Sequence, residues 1–199
     1  MMIDVEQLAH VCGITVRNRD FFVEAMTHRS YLNENKSHGY PHNERSEFLG
    51  DAVLERVVTD YLFTHYPNPE GEMTAWRAAL VNGEMLARVA RTLGIEVFLL
   101  MSKGEAKDTG KARDYLLANA VEALIGALYR DQGDDAAKDF ILANIVVHID
   151  HVLEKKTYLD PKSYFQEKAQ EHMGITPHYQ LVAETGPDHD RAFTVAGYV

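Results

Sequence analysis

Between the flanking tyrosines Tyr115 and Tyr129 the only polar side chains are Asn119 and Glu122. A helix that is apolar around its whole circumference belongs inside a protein or inside a membrane. This stretch is shorter than the roughly 20 residues that a membrane span needs, so it reads as a core helix around which the remaining elements pack. Asn119 and Glu122 stand at i and i+3 and are neighbours on one face. A carboxylate inside a core is expensive unless something pairs with it, and the fold has to supply that partner.

The rest of the first 156 residues also reads as helical. Apolar spacing and stop signals predict helices over residues 5–12, ended by Gly13, and over 20–29. A polar loop at 33–42 precedes a long helix over 44–65, closed by Pro67 and Pro69. The next helix spans 74–93, with Thr74 as N-cap and Gly94 as its left-handed stop. A glycine-containing basic loop at 103–113 leads into the apolar helix 114–129, and an amphipathic helix over 134–156 closes the region. Strand signals are nearly absent, so the expected class is all-α. The character changes at Asp160 and Pro161, which start a helix to Met173 that Gly174 ends. Residues 178–184 and 191–199 then alternate as strands around a turn at 185–187. Two domains are therefore expected, 1–156 and 157–199. One helix with two strands is too small to stand alone, so the second domain is expected to be truncated.

The helix over 44–65 carries a second polar stripe. At about 100° per residue, Glu44, Glu47 and Asp51 fall near 0°, 300° and 340°. Apolar residues, among them Phe48, Leu49, Ala52, Val53, Leu54, Val57 and Val58, occupy nearly every other direction, which predicts a buried helix whose acidic stripe lines a cleft. Arg45 and Arg56 point away from that stripe. Carboxylates gathered in such a place take up protons or need a cation. Two buried helices, each with one oxygen-rich stripe, most simply meet around a shared hard cation. With no His or Cys on either stripe, the donors favour Mg²⁺ or Mn²⁺ over zinc or iron. Mg²⁺ held by few carboxylates also engages substrate phosphates, so the implied chemistry is phosphate-ester hydrolysis.

Composition narrows the class. Against 20 Lys and Arg stand 30 Asp and Glu, a formal net charge of −10, so a basic coat for nucleic acid is absent as an average property. Cys12 is the single cysteine, which excludes an internal disulfide or a cysteine-based zinc cluster and suits a reducing compartment. No basic-then-apolar leader opens the chain, and a soluble cytoplasmic protein without a membrane anchor is expected.

The run Asn43-Glu44-Arg45-Ser46-Glu47-Phe48-Leu49-Gly50-Asp51 resembles the ribonuclease III signature, with Ser46 where that family usually has Leu. Thr27-His28-Arg29-Ser30, Glu70-Gly71 with Met73, and Val121-Glu122-Ala123-Leu124-Ile125-Gly126-Ala127 resemble further segments of the same family in the same order. Asp160-Pro161-Lys162 followed by Gln166-Glu167 resembles the start of its double-stranded-RNA-binding domain. The resemblance implies an all-α endonuclease domain working as a homodimer. The implied reaction is Mg²⁺-dependent cleavage of both strands of double-stranded RNA to 5′-phosphate and 3′-hydroxyl ends, in rRNA and mRNA processing. By resemblance Glu47, Asp51 and Glu122 are metal ligands, Asp51 and Glu122 catalytic, and Glu44 and Glu70 auxiliary acids. Asn119 occupies the position of a usual Asp; its amide oxygen still ligates a hard cation but brings no charge, so a working site of weaker metal affinity is expected. His28, Arg29, Gln166 and Glu167 are the implied RNA contacts.

Lesser signals have plainer readings beside functional ones. Lys103, Lys107, Lys111 and Arg113 suit either phosphate contact or a solvated loop, and His28 either an RNA contact or a helix end. His148 and His151 read as surface residues, Trp76 as core, and Gly50 as a close helix or dimer contact. Two other functions share features with this chain: a non-catalytic double-stranded-RNA-binding protein, suggested by Asn119, and an all-α nucleotide pyrophosphohydrolase.

Overall fold

The computed structural model describes residues 3–107, 109–155, 158, 161–186 and 191–199, apart from the side chains of Pro161, Ser163 and Glu167. The chain divides into two compact units, Met1–Tyr158 and Leu159–Val199. Tyr158 goes with the first because its ring packs edge-on against Trp76 at 6.1 Å. Among the described residues no helix is long and apolar enough to cross a membrane.

The first unit is built around α7 (Gly110–Gln132), against which α2 (Arg19–Ala25), α4 (Glu44–His65), α6 (Gly83–Leu93) and α8 (Asp134–Asn144) pack. Ahead of these runs α1 (Val5–Cys12), whose first turn is capped by Asp4 accepting from the Gln7 N–H and which Gly13 ends at φ 64°. Leu117, Leu124, Ile125 and Leu128 of α7 are fully buried together with Leu54, Leu80, Leu86 and Phe22. That shared core fixes how α4 lies on α7.

Several element ends differ from the sequence reading, each for a tertiary reason. The helix expected over 20–29 stops at Ala25 because the backbone of residues 26–28 finds partners elsewhere: Leu100 N–H donates to Met26 O at 2.8 Å and His28 N–H to Leu100 O at 2.9 Å. A new short helix, α3 (Arg29–Glu34), starts there with His28 as its N-cap. The helix expected over 74–93 begins earlier, after Pro69, as α5 (Glu70–Val81), and breaks at Asn82, whose side chain accepts from the Met85 N–H and caps α6. The closing helix is interrupted by the turn Val146–His148 and resumes as α9 (Ile149–Lys155). The expected basic loop is shorter than the sequence suggests, since α7 already starts at Gly110.

The largest correction concerns α4. It is not buried all round: Ser46, Gly50, Val53, Leu54, Val57, Val58 and Leu62 face the core, whereas Phe48 is 81% and Phe63 76% exposed. Apolar residues alone do not say whether they meet the chain's own core or another surface.

The second unit holds α10 (Pro161–Met173) and an antiparallel pair, β1 (His178–Thr185) and β2 (Ala192–Tyr198), with a register shift between Leu181 and Ala183. Tyr179 donates its hydroxyl to Lys162 O at 3.1 Å, and Gly197 lies under the Phe165 ring, where a Cβ would come within 2.8 Å. Lys156 and Thr157 at the expected domain boundary, Asp160 and Pro187 lie outside the described residues.

Candidate active site

Two glycines set the distance between the acidic helices. A Cβ on Gly50 of α4 would stand 2.6 Å from the carbonyl carbon of Glu122 and 2.8 Å from the Gly126 nitrogen on α7; one on Gly126 would stand 3.0 Å from the Ser46 carbonyl carbon. The backbones therefore touch at this crossing, which lays Glu47 and Asp51, on either side of Gly50, alongside Glu122. Gly50 is thus a helix contact within the chain.

On α7 every residue from 116 to 128 is buried except Asn119 and Glu122, which are half-buried. The polar stripe read from the sequence is therefore the part of the core helix that opens outward. Burial pushes the Glu122 carboxyl up to about 7, with Asp51, Glu47 and Glu55 adding repulsion. Glu47 is also raised, first by burial and then by Glu44 and Asp51. Asp51 is exposed, so the acidic stripe of α4 slopes from a half-buried to an open position. Among the described residues, Glu47, Asp51, Asn119 and Glu122 have no hydrogen-bonding or ion-pairing side-chain partner. Nor do any three His, Cys, Asp or Glu side chains there converge closely enough to hold a metal ion between them. Bare carboxylates repel, and no cationic side chain stands between these three to offset that.

The outer acids are already engaged. Glu44 accepts from Arg29 at 3.3 Å and has His42 3.8 Å away, so of the acids read on α4 it is the one with its own counterion. Glu70 is not brought to the group: it sits at the exposed start of α5, accepts from Thr74 Oγ1 at 3.0 Å, and lines a cavity of about 240 Å³ with Thr59, Phe63, Met73 and Arg77. It is absent from the charges acting on Glu47 and Glu122. The sequence reading missed Glu55, which does act on Glu122. Helical geometry puts it about 20° from Glu44 on the same stripe, and that arithmetic was the available signal.

The remaining predicted residues lie elsewhere. His28 is 14% exposed and structural in its contacts: Nδ1 caps α3 by accepting from the Ser30 N–H at 3.3 Å and lies 2.8 Å from Glu105. Arg29 beside it is 69% exposed. Arg113 is not a loop cation but is held by Glu96 at 2.7 Å, whereas Lys103 and Lys107 are exposed. Gln166 is exposed on α10, and the Glu167 side chain lies outside the described residues. Ser46 is buried and donates to Glu24 at 2.7 Å, which also pairs with Arg130 at 3.2 Å; this polar contact occupies the place of the usual leucine. Trp76 is in the core.

Known proteins are similar to this chain in sequence and in the fold of its first unit. The ribonuclease-III-like family model matches residues 18–149. Ribonuclease 3 of Fusobacterium nucleatum is 39% identical over 189 residues, covering 94% of this chain and 81% of that protein. Ribonuclease 3 of Pelotomaculum thermopropionicum is 42% identical over 183 residues, covering 92% and 76%. A solved nuclease domain of ribonuclease III from Campylobacter jejuni, described for flexibility in a region involved in its dimer formation, superposes with a TM-score of 0.62 at 36% identity. It covers 71% of this chain and 98% of that one. These matches set aside the nucleotide pyrophosphohydrolase. The chain belongs to the ribonuclease-III-like family.

Proposed function

We propose that this endoribonuclease hydrolyses both strands of double-stranded RNA with a divalent cation, Mg²⁺ or Mn²⁺, whose binding would draw together Glu47, Asp51, Glu122 and the amide oxygen of Asn119, which do not converge on one point without it. The observation that carries this is the set of three carboxylates at the α4–α7 crossing that have no partner among the described residues, with Glu122 raised to about 7. An all-oxygen donor set of this charge suits a hard cation. When bound, such a cation polarises the scissile phosphate and lowers the pKa of the attacking water. The chain's own part is to place the carboxylates: Asp51 and Glu122, near enough to repel each other, would orient the water, and the Gly50–Gly126 contact holds the two helices in register. Asn119 supplies an oxygen without charge, which leaves the site with weaker cation affinity than a fourth carboxylate would give.

The homodimer reading is supported by the exposed Phe48 and Phe63 on α4 and by the cavity beside Phe63 that Glu70 lines. Glu70, which does not act on Glu47 or Glu122 of its own chain, would then serve as an auxiliary acid across the dimer. Arg29, next to Glu44, is placed for a phosphate contact; His28 orders the start of α3 that carries it. The α-β-β unit is read as belonging to a double-stranded-RNA-binding domain, with Gln166 and Glu167 as minor-groove contacts. Products with 5′-phosphate and 3′-hydroxyl ends, and rRNA and mRNA precursors as substrates, follow the family. The test is incubation of a long RNA duplex, and of each strand alone, with Mg²⁺ and with a chelator. Staggered cleavage of the duplex only, and only with metal, is expected; equal cleavage of the single strands or metal-independent cleavage refutes the proposal.

A further inference from the structure

Glu55 lies one helical turn beyond Asp51 on α4, on the same side as Glu47 and Asp51. Unlike them it has a fixed counterion. Arg77 of α5 brings its Nε to 2.9 Å from Glu55 Oε2, and its Nη1 donates to Thr59 Oγ1 at 2.9 Å. Thr59 in turn donates to the Glu55 carbonyl at 2.7 Å. The guanidinium is thus held at two points on consecutive turns of α4, and the two side chains are only 34% and 39% exposed. Charges fixed on a rigid helix pair at partial burial act on a neighbouring cation site with incomplete screening. The pair is a dipole whose negative end lies on the acidic stripe.

Resting on the reading of Glu47, Asp51 and Glu122 as cation ligands, we infer that Glu55 and Arg77 set the cation affinity of the cleft without touching the cation. Glu55 adds attraction and Arg77 withholds part of it, so both are positioning residues that act through the electrostatics of the inner carboxylates. Outer carboxylates of this kind suit Mg²⁺, which keeps several of its waters.

The two members of the pair must then act with opposite signs, which no merely structural role predicts. Mn²⁺ binding to the whole chain without RNA, read by electron paramagnetic resonance of the free ion, should weaken about three- to fivefold in Glu55→Gln. It should tighten about threefold in Arg77→Met, as expected for a unit charge ~8 Å from a divalent ion in a water-like dielectric. The double variant should return to within about twofold of wild type, and Arg77→Lys should stay near it. Thermal melting without metal accompanies each variant, so that a folding defect is seen as such. Changes of the same sign in both single variants, or no change in either, overturn the inference. Glu122→Ala separates the levels. Loss of Mn²⁺ binding there with no effect of the charge variants overturns this inference alone; unaltered binding there overturns the ligand assignment on which it rests.

Discussion

Gly50 and Glu122 are in backbone contact: a Cβ on Gly50 would stand 2.6 Å from the carbonyl carbon of Glu122 and nearer still to its oxygen. Neither partner is a flexible side-chain tip, so neither gives way cheaply. Gly50→Ala should therefore destabilise the chain by about 3 kcal/mol or more, at the upper end of overpacking costs, and Gly126→Ala should behave alike. Gly71→Ala is the control, since nothing lies within 4 Å of its Cβ position and alanine favours a helix by about 0.5–1 kcal/mol. Chemical denaturation of the three variants measures the difference.

The raised Glu122 carboxyl makes metal-free stability depend on pH. Folded, Glu122 keeps its proton to about 7; unfolded, it releases it near 4.5. Between these values the folded state binds more protons, so its contribution is fully present below about 4.5 and is lost as pH rises through about 7. In a chelator the melting temperature of wild type should fall between pH 5 and pH 8 by more than that of Glu122→Gln. Equal slopes would show that Glu122 is not under this strain.

Asn119→Asp adds a fourth charge to the site. Cation affinity should rise about tenfold, by the interaction of one more unit charge with a divalent ion at close range, and duplex cleavage should need correspondingly less Mg²⁺. A wild type that never cleaves at saturating Mg²⁺ or Mn²⁺, beside an active Asn119→Asp, would make the natural chain a binder rather than a nuclease.

Phe48 is 81% exposed, so its replacement should leave the fold within about 0.5 kcal/mol of wild type. On the proposed homodimer reading, Phe48→Glu should nonetheless shift sedimentation from dimer to monomer, because a charge would be buried in the proposed contact. An unaltered dimer would place the interface on another face.

What was legible in the sequence follows from which contacts are local. Asn119 and Glu122 stood out because they are the only polar side chains between Tyr115 and Tyr129, and every other residue from 116 to 128 is buried. The α10, β1 and β2 elements were set by Pro161, Gly174 and the alternation of apolar and polar residues, all short-range signals. On α4 the same reasoning overreached, because periodicity does not separate a core-facing Val57 from an outward Phe48. Arg113 looked like a loop cation because its partner Glu96 lies 17 residues earlier in the chain, and the break at Asn82 depends on a cap that competes with a continuous helix. Glu70 was placed with the other acids by resemblance, while its actual neighbours, Phe63 and Thr74, belong to an outward surface.

The most direct test of metal-dependent duplex cleavage at the α4–α7 crossing is incubation of a long RNA duplex with Mg²⁺ and either wild type or Glu122→Ala. Short staggered duplex products from wild type that disappear in the variant, with its fold retained, are predicted. Persistence of those products in Glu122→Ala, or their absence with wild type at saturating metal, would contradict it.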